Sequence, residues 1–204
     1  MEGSDTYKTI KQASEGLYKD KGSKFIALVY PVSSEEEVKE LLAQVKKQYY
    51  DARHHCYAWA LHQSREAHRM NDDGEPSGTA GKPIFGQILS YDITNVLIVV
   101  VRYFGGTKLG VRGLINAYKG AAQDALNNAT IITKVIHNYF KIQFDYPSMN
   151  DVMKIIKDYD LPQVEHDFAL SCTLVFSVPQ SISPQVEEKF SKLSNVVITH
   201  LNTY

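Results

Sequence analysis

At 204 residues the chain suits one large domain or two small ones, and 44% hydrophobic against 22% charged residues lets it bury a core of ordinary size. A formal net charge of -1 gives no global signature of a nucleic-acid binder, so any such role must rest on a local patch. The only cysteines, Cys56 and Cys172, are far apart, which fits a reducing compartment better than a disulfide scaffold. Met1 to Tyr7 lack the basic-then-apolar order of a signal peptide, and the longest apolar run is too short to span a bilayer. The expectation is a cytoplasmic protein with no membrane partner.

Residues 1–20 are polar and read as a flexible lead-in. Lys24 to Tyr30 reads as a strand stopped by Pro31. Ser33 and Ser34 precede Glu36 and Glu37 as overlapping capping boxes, opening a helix with Val38, Leu41, Leu42, Val45 and Tyr49 on one face. His54 to His62 has strand composition, and Ala67 to Asn71 reads as a short strand. The run from Asp72 to Pro83 holds three glycines and two prolines and must be a loop, with Pro83 placed to open the next helix. Val96 to Val101 has no polar alternation and reads as a strand buried on both faces. Beyond it Leu114, Tyr118, Ala121, Ala122 and Ala125 fall on one side of a helix, which closes a first unit at residue 129.

From residue 130 the pattern restarts. Strand-like 134–145, helix-like 148–159, strand-like 163–178, helix-like 184–193 and strand-like 195–202 give a β-α-β-β-α-β order if the long middle segment splits. This second unit carries 6 basic and 8 acidic residues, which leaves 16 basic and 15 acidic for the first.

The stretch from Arg102 to Gly110 joins the buried strand to a helix N-terminus through a glycine-rich turn. Gly105, Gly106, Gly110 and Gly113 can turn backbone N–H groups toward an anion, while Arg102, Lys108 and Arg112 supply fixed positive charge. The spacing is not that of a Walker loop. A second set of anion donors is available from Ser77, Gly78 and Thr79, and Arg53 adds a further cation. Tyr103 and Phe104 beside the turn, with Tyr57 and Trp59 on a neighbouring strand, serve equally well as base-stacking surfaces or as plain core.

The acidic residues Asp72, Asp73 and Glu75 are weak candidates for a hard cation because the EF-hand order is missing. Salt bridging of this loop to Arg102 or Arg53, closing the seat until a ligand displaces it, ranks above metal binding. His54 and Cys56 share one strand face and His55 the other, which is too few ligands for zinc, so Cys56 reads as a small packed hydrophobe. No catalytic constellation and no cofactor are expected.

Taken together, Asp72-Asp73-Gly74-Glu75-Pro76-Ser77-Gly78-Thr79-Ala80-Gly81-Lys82-Pro83 and Arg102-Tyr103-Phe104-Gly105-Gly106 with Leu109-Gly110 resemble the YigZ/IMPACT family. Supporting matches are Lys24-Phe25-Ile26-Ala27 and Arg53, His55, Cys56, Tyr57 and Ala58. The resemblance implies an α+β protein. Residues 21–129 would form an N-terminal domain similar to the second domain of a small-subunit ribosomal protein, a mixed sheet with helices on one face. Residues 130–204 would form a ferredoxin-like domain resembling the last domain of elongation factor G. Relatives commonly read Leu-Gly-x-Gly-Gly-Leu with a basic residue further on. Here the basic residue is Arg112 and the later position is Asn116, one helical turn along the same face.

Eukaryotic relatives are linked to translational control, which makes RNA, the ribosome or translation-factor proteins the implied partners. The favoured expectation is a non-enzymatic, translation-associated binding protein that uses turn 102–113 and loop 72–83. The alternatives are an enzyme or binder of a nucleotide or phosphometabolite at the same cradle, and a protein-interaction module.

Overall fold

A computed structural model of the protein describes residues 5–168 and 171–203. The described residues divide into two compact units, one of residues 7–134 and the other of Asp5 and Thr6 together with those from Val135 onward. The division falls a few residues beyond the 129/130 boundary expected from the sequence.

The first unit runs β1 (Thr6–Ile10), β2 (Ser14–Asp20), β3 (Ser23–Pro31), α1 (Glu35–Gln48), β4 (His54–Leu61), β5 (Ala67–Asn71), α2 (Gly81–Ser90), β6 (Val96–Tyr103), α3 (Gly110–Asn127) and β7 (Ile131–Val135). Five strands form a sheet in the order β2-β3-β6-β4-β5, and every pairing in it is antiparallel. β1 pairs with β7 in a separate ribbon.

The apolar run in β6 is central and covered on both sides, as its lack of alternation requires. Val96, Ile98 and Val100 face the core under α2 and α3, with Phe25, Ala27, Val29, Cys56 and Ala58. Leu97, Val99 and Val101 face a second core with Leu28, Trp59 and Leu61, closed by Val38 and Val45 of α1. Two details of the expected N-terminal domain are corrected here. The sheet is antiparallel rather than mixed, because the chain returns to it through hairpins and reversing crossovers. Helices cover both faces rather than one, because α1 presents its own apolar stripe. That helix opens on a variant of the capping box: the cap Ser34 hydroxyl accepts from Glu37 N at 3.2 Å, and Glu37 Oε2 accepts from Ser33 N, one residue before the cap, at 2.6 Å.

Within residues 1–20, read from the sequence as a flexible lead-in, residues 6–10 and 14–20 are strands. Few apolar side chains announce them because α3 holds β2 by its backbone. Ser14 Oγ donates to Ala125 O at 2.9 Å, Leu17 N donates to Asp124 Oδ2 at 2.8 Å, and Asn128 Nδ2 donates to Glu15 O at 2.9 Å. Gly16 permits this approach: a Cβ there would stand 2.2 Å from Ala125 N.

The second unit contains β8 (His137–Phe144), α4 (Met149–Asp158), β9 (Gln163–Phe168), β10 (Cys172–Pro179), α5 (Ser183–Ser191) and β11 (Val196–Thr203). Its sheet order β11-β8-β10-β9 with antiparallel neighbours is the ferredoxin-like arrangement, and the long middle segment does split into two strands. Phe140, Phe144, Phe176 and Phe190 build its core with Val152, Ile156 and Val186 of the helices. No helix among the described residues is long and apolar enough to cross a membrane.

Gly16→Ala is expected to force β2 away from α3 and to cost about 1–3 kcal/mol of stability, the range of an overpacked core. Urea denaturation monitored by circular dichroism measures this, and a loss under about 0.5 kcal/mol would show that β2 is not held closely.

Candidate functional site

Arg102 is the penultimate residue of β6, on the face that α3 covers, paired in register with Phe25 of β3 and His54 of β4. Side-chain alternation alone therefore points it inward. There Arg102 Nη1 donates to Glu75 Oε1 at 2.6 Å, with the two side chains only 7% and 4% exposed. The Tyr118 hydroxyl donates to the same Glu75 oxygen at 2.7 Å. The Cys56 thiol lies 3.3 Å from the Tyr118 hydroxyl oxygen and 3.0 Å from the Asp72 carbonyl. The guanidinium carbon of Arg102 stands 5.4 Å from the Phe25 ring centre and 5.6 Å from that of Phe104, and its Nε has no partner.

The two glycine-rich stretches thus meet, but what they enclose is not an open seat. Arg102, expected to neutralise a ligand, is neutralised by Glu75 of the same chain. Its place in the anion cradle is corrected on that ground: a sealed guanidinium holding a carboxylate presents no charge to solvent. Burial pushes the Cys56 thiol up to about 12, so it is not a thiolate near neutral pH. Burial also raises Tyr118, which keeps its proton to donate to Glu75.

The rest of loop 72–83 is similarly folded on itself. Asp72 Oδ2 accepts from Gly78 N at 2.9 Å, and Oδ1 accepts from Ala80 N at 3.0 Å and Gly81 N at 2.9 Å. It thereby caps α2 from eight and nine residues upstream. Thr79 N and Oγ1 both donate to Pro76 O. Gly78 and Thr79 therefore direct their donors inward and drop out of the expected anion-binding set, while Ser77 stays exposed. Asp73 Oδ2 accepts from His55 N at 2.6 Å, and its carbonyl holds His54 Nδ1 at 2.8 Å. Among the described residues no cluster is arranged for a metal ion. Asp72, Asp73 and Glu75, the weak candidates for one, are engaged as described.

Turn 104–109 is different. Gly105 is pressed against the turn before β3: its N donates to Ser23 Oγ at 3.1 Å, and a Cβ would come within 1.9 Å of Gly22 C. Gly105 is thus a packing glycine, not a ligand-facing one. Beyond it Gly106 and Gly110 adopt positive φ, and α3 starts with no side-chain cap and no acidic residue in its first turn. Lys108 and Arg112 are exposed there and form no ion pair among the described residues. Arg53 and Asn116 are exposed as well. Tyr103 donates to Asp51 Oδ1 at 2.7 Å, and that bond, ahead of desolvation, pushes its hydroxyl up to about 12. Trp59 is 5% exposed and packs with the α1 face, opposite Arg102, and Tyr57 packs beside it.

Sequence reasoning left Tyr118 as core and did not join Cys56 to it. One signal was present: a tyrosine on a stripe of Ala117, Ala121, Ala122 and Ala125 must find a partner for its hydroxyl once buried.

An antiparallel sheet ending in a strand–glycine turn–helix, followed by a ferredoxin-like unit, defines the class of protein. The Impact N-terminal domain matches residues 21–126. The chain is 33% identical to IMPACT family member YvyE of Bacillus subtilis (strain 168) over 75% of its own length and 70% of that protein. It is 30% identical to IMPACT family member YigZ of Escherichia coli (strain K12), over 85% of its own length and 86% of that protein. A solved structure described as that of a hypothetical protein superposes with a TM-score of 0.74 at 26% identity, covering 97% of this chain and 98% of the other. The chain belongs to the IMPACT family.

Removing one partner of the buried pair, as in Glu75→Ala, is expected to cost about 3–5 kcal/mol, because it strands a guanidinium. Urea denaturation measures it, and a loss under about 1 kcal/mol would mean the pair is solvated. Asp72 yields a pH test. Burial alone would raise its carboxyl, but the Gly78, Gly81 and Ala80 N–H donors outweigh this and hold it below the ordinary carboxylate value. A carboxyl depressed on folding stabilises above its unfolded value and loses that contribution as pH falls through its folded one. The stability advantage of the wild type over Asp72→Asn is therefore expected to be full at neutral pH and to shrink below about pH 4. A difference independent of pH would exclude the ionised cap.

Proposed function

We propose that the protein is a non-enzymatic, translation-associated binding protein that engages phosphate groups of RNA, free or ribosomal, through the exposed start of α3. The translational setting is what the family resemblance implies. The single observation supporting the contact is the contrast between two helix starts. The start of α2 is closed by Asp72, whereas that of α3 has neither side-chain cap nor acid and carries exposed Lys108 and Arg112.

The electrostatic footprint is small. Arg102 is withdrawn into its pair with Glu75, so two side chains and the first backbone amides of α3 form the contact. For about two neutralised phosphates on a single strand, log K should fall against log salt with a slope of roughly -1.4. Arg53 and Ser77, exposed on the same unit, extend the contact for a longer strand.

Fluorescence anisotropy with a labelled RNA, titrated from about 50 to 200 mM salt, tests this. Replacing Lys108 and Arg112 together by Ala is expected to lower affinity several-fold and flatten the slope, with thermal stability unchanged. Equal affinity and slope in the double variant would overturn the assignment.

A further inference from the structure

We infer that Phe104 is a preformed platform on which an unpaired base of single-stranded RNA stacks. This inference rests on the phosphate contact proposed above and names its substrate as single-stranded rather than duplex RNA.

Of the aromatic side chains on β3, β4, α3 and at positions 103–104, Phe104 is the one left open; Tyr50, 84% exposed, follows α1 rather than the turn. Trp59 is buried against α1, Tyr57 is packed beside it, Tyr118 and Phe25 are enclosed, and Tyr103 is tied to Asp51. Phe104 is 51% exposed. An exposed phenylalanine on a surface is ordinary by itself. What distinguishes this one is how it is held.

On its N-terminal side, two residues back, Arg102 is locked by Glu75, and its guanidinium carbon stands over the Phe104 ring at 5.6 Å from the centre. On its C-terminal side Gly105 is clamped against Gly22 and Ser23, where even a methyl group has no room. The backbone is thus held on both sides of Phe104 and a buried cation backs its ring, yet the side chain is half open to solvent. The ring's contact with Arg102 accounts for one face only; exposing the other gains the fold nothing, whereas a backbone already held lowers the ordering cost of stacking a ligand there.

Charge selects the occupant. Exposed Lys108 lies four residues on and Arg112 in the first turn of α3, with no carboxylate in that turn. A flat apolar face beside cations suits a base attached to a phosphate. In a duplex the base faces are covered by their neighbours in the stack, so only an unpaired base can occupy the ring.

The test compares a labelled 12-nucleotide single-stranded RNA with the duplex formed with its complement, binding the full chain at low salt. Phe104→Ala and Phe104→Leu are expected to weaken single-strand binding about fivefold or more while leaving duplex binding and the salt slope unchanged. Phe104→Trp is expected to restore single-strand affinity, and its indole fluorescence to be quenched on binding; the chain's single natural tryptophan, Trp59, is only 5% exposed. If Phe104→Ala and Phe104→Leu bind the single strand as tightly as the wild type, or Phe104→Trp binds without quenching, the platform is excluded. If the Lys108 and Arg112 double variant still weakens binding in that case, the phosphate contact survives without it. A wild type that binds neither RNA at low salt would overturn both.

Discussion

The N-terminal unit is organised around the ion pair between Glu75 and Arg102. It joins a loop, the last turn of the central strand and, through Tyr118, the helix that covers them. Two opposite charges withdrawn from water are not in themselves a source of stability, because desolvation offsets most of their attraction. What the pair supplies is uniqueness: with Glu75 elsewhere, Arg102 would be an uncompensated charge beneath α3, so alternative placements of the loop are strongly disfavoured. Every other contact of the loop agrees with this placement. Asp72 closes α2 and fastens Gly78, Asp73 holds the start of β4, and the short chain from Asp73 to Gly78 has little freedom to carry Glu75 away.

This arrangement divides the positive charge of the glycine turn into two kinds. Arg102 belongs to the interior and sets geometry; Lys108 and Arg112 belong to the surface and are available to a partner. A chain of net charge -1 cannot draw RNA by its overall field, so the contact proposed above would depend on shape and stacking as much as on its two cations.

Legibility in the sequence followed the range of the forces involved. The unbroken apolar run of β6, the Ser34–Glu37 capping box and the alternation of elements beyond residue 130 are local signals, and each corresponds to what is observed. Residues 6–20 were illegible because β2 is held to α3 by side-chain–backbone bonds, Ser14 Oγ to Ala125 O and Leu17 N to Asp124 Oδ2, between residues more than a hundred apart. The role of Arg102 was half legible. A guanidinium after a buried strand announces a constraint, and pairing with the acidic loop was one reading of it, but nothing in the order of residues says that Glu75, rather than Asp72 or Asp73, supplies the oxygen. The second covered face of the sheet was missed for a related reason. The stripe of α1 was visible, but a stripe does not say which face it will cover.

The side chains that α3 lays across β2 have a consequence for the protein's behaviour at high concentration. Leu17 N–H and Glu15 C=O would otherwise be free to template a strand from a neighbouring molecule, and Asp124 and Asn128 occupy them. That margin of the five-stranded sheet is therefore closed to growth by strand addition, and the molecule is guarded there against the edge-to-edge stacking that begins many aggregates.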